Sequence, residues 1–145
     1  MKIVVQQVKE AKVFINNKLY SSINDGMLIF LGIHSKDTLE NIKYLINKLV
    51  KLRIFKDNTH KMNLSILDLN YSILLVSQFT LYANIKKGNR PSFIDAASPD
   101  KAKELYNLFI KELNQYNINL ETGKFGEKMD VQLINNGPNT FILES

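Results

Sequence analysis

The sequence of 145 residues contains no cysteine. This absence excludes a disulfide framework and a thiol nucleophile. Long apolar runs are absent as well, because none reaches the roughly 18 residues that a transmembrane helix needs. The N-terminal segment turns polar at Gln6 and Gln7, too early for the apolar region of a signal peptide. Together these absences predict a cytoplasmic protein that does not associate with a membrane.

Histidine is nearly as scarce as cysteine. The two histidines, His34 and His60, lie far apart, and neither forms part of a cluster of histidine, cysteine and carboxylate residues at ligand spacing. The pattern Gly-Lys-Phe-Gly at 123–126 is too loose for a phosphate-binding loop. The sequence therefore predicts neither a metal site nor a bound cofactor.

Basic residues outnumber acidic residues by 19 to 14, which gives a formal net charge of +5. This charge suits an anionic partner such as nucleic acid, but a lysine-rich surface also occurs simply because it keeps a protein soluble. Only Arg53 and Arg90 carry a guanidinium group, which can bind phosphate through two parallel hydrogen bonds. A basic RNA- or DNA-binding module without catalytic activity therefore stays open as an alternative to an enzyme.

The apolar patterns predict an α+β fold in one domain of residues 1–145. Two stretches with apolar residues at helical spacing predict the main helices, and stretches rich in residues that favour strands predict the strands. Because strands and helices do not alternate strictly, we expect a mixed or largely antiparallel sheet. The predicted helices are 38–51 and 99–115; the predicted strands are 1–8, a hairpin over 12–20, 27–33, 52–55, 71–81, 129–134 and 140–143; loops are expected at 56–63, 84–95 and 135–139.

A polar cluster, Ser77, Gln78, Phe79 and Thr80, follows an apolar run at 73–76 that is expected to be a buried strand. Hydroxyls, an amide and backbone N–H groups at the end of a core strand lie where water is scarce and where fixed dipoles act most strongly. Ser77 or Thr80 could be a nucleophile, although no base is visibly committed to activating either hydroxyl. The alternative is that both hydroxyls only satisfy backbone groups at the strand end.

The stretch 135–139 contains the pair Gly137-Pro138. It could be an ordinary turn between two strands, since X–Pro bonds are cis in only about 5–6% of cases in folded proteins. A buried Gly-Pro pair would instead leave its carbonyl oxygens free, because glycine has no side chain to cover them and proline has no N–H group to bond with them. Such oxygens form an acceptor platform for a cation such as an α-ammonium group.

With Ser77-Gln78-Phe79-Thr80-Leu81 and Asn136-Gly137-Pro138-Asn139-Thr140 both present, the chain closely resembles the D-aminoacyl-tRNA deacylases, formerly called D-tyrosyl-tRNA deacylases. The resemblance covers essentially the whole chain and includes the stretches Arg53-Ile54-Phe55, Lys61-Met62-Asn63-Leu64, Arg90-Pro91-Ser92-Phe93, Ala97-Ser98-Pro99 and Thr122-Gly123-x-Phe125. It implies a barrel-like core and a homodimer. It also implies hydrolysis of the ester between a D-amino acid, or mischarged glycine, and the terminal adenosine of tRNA.

The resemblance assigns catalysis to Ser77, Gln78, Phe79 and Thr80. In that family no side-chain nucleophile is needed, because backbone N–H groups near Phe79 and Thr80 would hold the developing oxyanion. The 2′-hydroxyl of the terminal ribose would help to activate water. The loop containing Asn136, Gly137 and Pro138 would enter the pocket in the cis form from the other subunit.

The resemblance also implies how the substrate is selected and held. Main-chain carbonyls would grip the α-ammonium group and leave no room for a side chain on the L face, so that L-amino acids are rejected by steric exclusion. Phe125 and Met129 would lie near the adenine, where stacking tolerates any sequence, or they could be ordinary core residues. Lys86, Lys87 and Arg90 would meet tRNA phosphate, or they could belong to a merely solvated loop.

Two positions depart from the family pattern. Relatives usually carry arginine where this chain has Gln7, and that arginine is understood to brace the Gly-cisPro loop. Asn139 stands where valine is commoner. Relatives with a relaxed chiral filter also replace the arginine, so a deacylase that acts on some L-aminoacyl-tRNAs is a further alternative. We expect a cis Gly137-Pro138 bond with weaker bracing than arginine would give.

Overall fold

The computed structural model describes residues 1–145. It contains two α-helices, α1 (Leu39–Val50) and α2 (Pro99–Leu113), close to the positions that their apolar spacing predicts. Its eight strands are β1 (Lys2–Ile15), β2 (Lys18–Ile23), β3 (Gly26–Gly32), β4 (Phe55–Lys56), β5 (Met62–Leu64), β6 (Ser72–Ser77), β7 (Asn119–Thr122) and β8 (Asp130–Glu144). No helix is both long and apolar enough to span a bilayer.

Six of the strands form one mixed sheet in the order β2-β1-β3-β6-β7, with β8 paired to β1. The long β1 is antiparallel to all its neighbours: β8 runs along one edge, while β3 and β2 share the other. The pairs β3–β6 and β6–β7 are parallel. The Ser21 hydroxyl of β2 donates to the Thr122 carbonyl of β7 at 2.9 Å, which links the two ends of the sheet. The predicted α+β fold with a mixed, barrel-like sheet and two main helices is therefore confirmed.

Strand β6 is buried on both faces, which explains its uninterrupted apolar run. Ile73 and Leu75 pack with the two helices in the larger of two core clusters. Leu74 and Val76 point the other way, into a smaller cluster inside the barrel. The end of this strand is consequently held from both sides, and it fixes the position of the residues that follow it.

The predicted strand over 71–81 is wrong beyond Ser77. The backbone of Gln78 still donates to the Leu31 carbonyl of β3 at 2.8 Å, but residues Phe79–Tyr82 then turn into a 3-10 helix. The apolar residues after Gln78 therefore do not continue the strand. They fold back over Gly32 at the end of β3, because the parallel pairing of the two strands ends there.

Residues 130–144 form a single strand rather than two strands, predicted at 129–134 and 140–143, with a turn between them. Strand β8 pairs with β1 from Asp130 to Glu144, and the register shifts where Gln6 faces Thr140 but Val8 faces Asn135. Residues 136–139 are the extra residues at this shift, and we call them the Gly-Pro loop. The predicted loop is thus an excursion within a strand, positioned opposite Gln7.

Several other strands also differ from the prediction. β7 was not predicted, because its four residues, Asn-Leu-Glu-Thr, show neither a long apolar run nor clear alternation. β4 is confined to Phe55–Lys56, and it pairs with β5 inside the predicted loop 56–63. Strand β1 joins the predicted strand 1–8 and the first arm of the predicted hairpin into one element.

Candidate active site

A cavity of about 520 Å³ lies at the carboxyl end of β6. Its walls come from the ends of β3 and β6, the start of α2, and the segment between β7 and β8. Most of the lining side chains are hydrophobic, which suits a flat apolar group such as a nucleobase. The lining residues are Phe30, Leu31, Ile33, Val76, Ser77, Gln78, Phe79, Phe93, Ala96, Ala97, Pro99, Ala102, Phe125, Gly126, Glu127, Met129 and Val131.

The cavity brings together five of the predicted site residues: Ser77, Gln78, Phe79, Phe125 and Met129. The first three lie at the strand end and the other two on the opposite wall. A bound group would therefore be held between the 3-10 turn and the segment that precedes β8.

The 3-10 turn presents backbone N–H groups beside the cavity. In any helical turn the first N–H groups have no partner inside the turn, and here these belong to Phe79 and Thr80. The turn packs tightly on β3, since a Cβ atom at Gly32 would stand 2.9 Å from Leu81 Cβ and 3.1 Å from the Gln78 carbonyl oxygen. Only glycine at position 32 allows the turn to sit this close.

The Thr80 hydroxyl is already engaged. It accepts a hydrogen bond of 2.6 Å from the Gln78 side-chain amide, Nε2. Hydroxyl nucleophiles require an adjacent base, and the only side chain found bonded to Thr80 is this amide, which is not basic. The contact fixes Gln78 and Thr80 relative to each other, so it fits an orienting role better than a nucleophilic one.

The opposite wall is held by contacts to the core. The Phe125 ring lies 5.5 Å, centroid to centroid, from that of Tyr106. Tyr106 is buried, and its hydroxyl donates to the Leu75 carbonyl at 3.0 Å. Burial raises the pKa of Tyr106, so the phenol stays protonated and remains a donor at neutral pH. The Met129 sulfur accepts a hydrogen bond of 3.3 Å from the backbone N–H of Lys124.

Phe93 and Glu127 are among the cavity residues that the sequence analysis did not assign to the site. Phe93 packs edge-to-face against Phe79 with ring centroids 4.9 Å apart, and Phe79 is 59% exposed. Glu127 is the one ionisable side chain in the lining, and it pairs with Lys124 at 3.1 Å. Phe93 follows the Arg90-Pro91-Ser92 stretch, a signal that could have found it. Glu127 shows no pattern that would distinguish it from a surface acid.

The Gly-Pro loop does not line the cavity of its own chain. Gly137 and Pro138 are exposed, Asn136 is half-buried, and the peptide bond between Gly137 and Pro138 is cis, as expected. The predicted site residues thus fall into two groups on one chain: the strand end with its cavity, and the loop opposite Gln7.

The predicted phosphate-binding residues lie on a short hairpin. Backbone hydrogen bonds of 2.8 and 2.9 Å pair Asn84 with Ser92, and we call residues 84–92 the basic hairpin. Its Lys86, Lys87 and Arg90 side chains are exposed. They lie outside the cavity, but Phe93 in the cavity wall follows the hairpin directly.

The other arginine, Arg53, is occupied within the chain. Its Nε donates to the Asn63 carbonyl at 2.7 Å, and its guanidinium group also donates to the Asn63 side chain. Arg53 therefore ties the segment before β4 to β5. No group of three or more histidine, cysteine, aspartate and glutamate side chains is arranged to hold a metal ion.

Comparisons with known proteins agree in their result. The chain matches the family model described as D-Tyr-tRNA(Tyr) deacylase over residues 4–144. It is 57% identical to the D-aminoacyl-tRNA deacylase of Finegoldia magna over 145 residues, which cover 100% of this chain and 98% of that relative. It is 50% identical to the D-aminoacyl-tRNA deacylase of Fusobacterium nucleatum subsp. nucleatum, with coverage of 100% and 96%.

Two solved structures share the fold over nearly their full length. The c-Myc DNA Unwinding Element Binding Protein superposes with a TM-score of 0.94 at 38% identity, covering 100% of this chain and 99% of that chain. A probable eukaryotic D-amino acid tRNA deacylase superposes with a TM-score of 0.86 at 17% identity, with coverage of 99% and 98%; this second likeness shows the fold alone. Since the family model and the relatives match essentially the whole chain, the protein belongs to the D-Tyr-tRNA(Tyr) deacylase family.

Proposed function

We propose that this protein hydrolyses the ester bond of D-aminoacyl-tRNA, and of mischarged glycyl-tRNA, in the cytoplasm. Water adds to the ester carbonyl, the bond to the ribose oxygen breaks, and that oxygen takes a proton, so that free amino acid and tRNA are released. The observation that carries the proposal is the apolar cavity at the end of β6, with the Ser77–Thr80 strand end at its edge, in a chain of this family.

The chemistry relies on backbone groups and on the substrate. The unpartnered N–H groups of Phe79 and Thr80 are placed to bind the oxyanion that develops on the ester carbonyl. The 2′-hydroxyl of the terminal ribose assists the attacking water. The adenine occupies the apolar cavity between Phe79 and the wall formed by Phe125 and Met129.

Selection against L-amino acids requires the Gly-Pro loop of a second copy of the chain. The loop of the same chain does not line the cavity, so a partner must supply it if it is to contact the substrate. On β8, Ile134 and Ile142 are 49% and 66% exposed on either side of the loop. A partner that docks its cavity onto this loop would cover both side chains, so their exposure supports a homodimer.

Removal of the Thr80 hydroxyl tests whether catalysis uses a nucleophile. Thr80→Val keeps the branched shape but loses the hydrogen bond from Gln78, so we expect the kcat for D-tyrosyl-tRNA to fall by about tenfold or less. Loss of a true nucleophile typically costs about 10⁴-fold or more. Single-turnover deacylation rates distinguish the two, and a fall of 10³-fold or more would refute the backbone mechanism.

The basic hairpin is expected to bind the phosphates of tRNA. In the triple variant with Lys86, Lys87 and Arg90 changed to alanine, KM should rise while kcat changes little, since the cavity is untouched. In a plot of the logarithm of the tRNA association constant against the logarithm of the salt concentration, the slope should become less steep by about 0.7–0.9 for each phosphate that the variant no longer binds. A matched triple change at the exposed Lys43, Lys48 and Lys51 serves as the control for net charge. An equal effect in both triple variants would show that only the overall charge matters.

Two alternatives remain distinct from this proposal. An enzyme with relaxed chiral specificity would also hydrolyse certain L-aminoacyl-tRNAs. The presence of Gln7 in place of the family's usual arginine favours this alternative. A nucleic-acid-binding module would bind without turnover, which the net charge and the name of one solved relative favour. Incubation of the pure protein with matched D-tyrosyl-, L-tyrosyl- and glycyl-tRNA separates all three. Binding without release of any amino acid would refute the proposed hydrolysis.

A further inference from the structure

The Gly-Pro loop leaves the sheet at a point where its backbone has no regular partners. Thr140 pairs with Gln6 and Asn135 with Val8, so the four residues between them face only Gln7. Without ladder hydrogen bonds, the position of such a loop depends on the side chains that hold it.

Asn139 makes three contacts that hold the loop. Its side-chain amide, Nδ2, donates to Gln7 Oε1 at 2.9 Å, across 132 positions of sequence. Its backbone N–H donates to the Asn135 side chain at 3.2 Å. Its side chain also lies against Gly137, because a Cβ atom at Gly137 would stand 2.6 Å from Asn139 Nδ2 and 2.7 Å from Cγ.

Gln7 is the fixed end of this arrangement. It is only 8% exposed, and it is one of few polar residues buried in the chain. Its backbone belongs to β1 and pairs with Met27 of β3 in the centre of the sheet. A buried side-chain amide needs a hydrogen-bond partner, and Asn139 supplies one. The contact therefore serves two purposes: it satisfies Gln7 and it attaches the loop to the rigid sheet.

We propose that Gln7 and Asn139 act together as positioning residues that set the strictness of chiral selection. In this proposal the pair fixes the main chain of Gly137, and the partner subunit uses that main chain to exclude the side chain of an L-amino acid. The two positions where this chain departs from its family's pattern are thus partners of each other. A neutral amide pair takes the place of a charged brace, and the inference rests on the function proposed above.

The test compares D- and L-tyrosyl-tRNA hydrolysis in four proteins: wild type, Gln7→Leu, Asn139→Leu and the double variant. Leucine is close to both amides in size but makes no hydrogen bond. In each single variant we expect the ratio of D to L kcat/KM to fall by about tenfold, because the remaining amide loses its partner and the loop is released. The double variant, with two apolar partners in contact, should recover part of the lost ratio.

Gln6→Leu is the matched control. Gln6 is the neighbour of Gln7 on β1, and its amide makes a long contact of 3.4 Å to the exposed Thr140 hydroxyl. The Gln6→Leu variant should leave the ratio of D to L kcat/KM unchanged. Melting temperatures of all variants show whether the fold is intact, and should Gln7→Leu fail to fold, Asn139→Leu on the loop provides the same test alone.

The outcomes separate this inference from the function on which it rests. If the wild type discriminates strongly between D- and L-tyrosyl-tRNA but both single variants keep its ratio, the positioning role is wrong and the proposed function stands. If the wild type releases no D-tyrosine, the proposed function itself fails. The coupling of Gln7 with Asn139 would also be refuted if Gln6→Leu lowered the ratio of D to L kcat/KM as much as the single variants do. The same holds if the effect of the double variant on this ratio equals the sum of the two single effects in free energy.

Discussion

Replacement of Gly137 by alanine is expected to reduce the hydrolysis of D-tyrosyl-tRNA by about 100-fold or more and to leave the fold intact. Gly137 has a φ of 126°, which is strained for any residue with a side chain. Its Cβ atom would also stand 2.6 Å from Asn139 Nδ2. The loop must move to relieve this contact, and a displacement of about 1 Å in a group that positions the substrate can cost about 100-fold in rate.

The control for this variant is Gly88→Ala. Gly88 also has a positive φ, 104°, but a Cβ atom there would meet nothing within 4 Å. It therefore repeats the backbone strain on an exposed hairpin without any effect on the Gly-Pro loop. Both variants should melt close to the wild type. At saturating tRNA only Gly137→Ala should lose activity, because Gly88 lies in the basic hairpin, where any effect of the substitution falls on KM. Full activity in a folded Gly137→Ala protein would exclude the loop from the active site.

Replacement of Gly32 by alanine is expected to lower kcat by about 100-fold with a smaller change in KM. The added Cβ atom would stand 2.9 Å from Leu81 Cβ and 3.1 Å from the Gln78 carbonyl oxygen, so the 3-10 turn must shift. That turn carries the N–H groups of Phe79 and Thr80, and loss of one oxyanion donor costs about 10²–10³-fold in kcat. Single-turnover kinetics at saturating substrate measure the effect on the chemical step.

The contrasting variant is Met129→Ala on the opposite wall of the cavity. It removes a side chain from the lining of the cavity that is proposed to hold the adenine, but it leaves the 3-10 turn in place. Its main effect should be a higher KM, because it weakens substrate and transition-state binding alike. If Gly32→Ala and Met129→Ala show the same division between kcat and KM, the assignment of catalysis to the turn and of binding to the wall is incorrect.

The sequence allowed the framework to be predicted because the framework depends on local patterns. The apolar run at 73–76 indicated a buried strand, and the helical spacing of Leu45 and Leu49 placed α1 within one or two residues. β7 could not be predicted in this way, because a short strand with polar residues depends on its neighbour β6 rather than on its own pattern.

The candidate site was predictable only in part. Its two polar stretches were recognisable as a pair through the family resemblance. Phe125 and Met129, which were predicted to contact the adenine, line the cavity, and their contact with adenine stays a prediction. The end of β6 at Ser77 was not predictable, since it depends on where the pairing with β3 stops. Nor was the contact between Gln7 and Asn139, because it arises from the register of β1 against β8 and has no local signature.

The two groups of site residues give the account its central claim. The lining of the cavity does not include the Gly-Pro loop of the same chain. In the proposed mechanism, each complete active site therefore needs the cavity of one subunit and the loop of its partner. A heterodimer of one Gly32→Ala subunit and one Gly137→Ala subunit tests this directly. One of its two sites would carry both changes, and the other would carry neither.

The measurement is the deacylation of D-tyrosyl-tRNA by this heterodimer, purified through two different affinity tags. The account predicts about half the activity of the wild-type dimer, although each parent homodimer is nearly inactive. A heterodimer no more active than its parents, or a fully active monomer, would contradict an active site shared between two subunits.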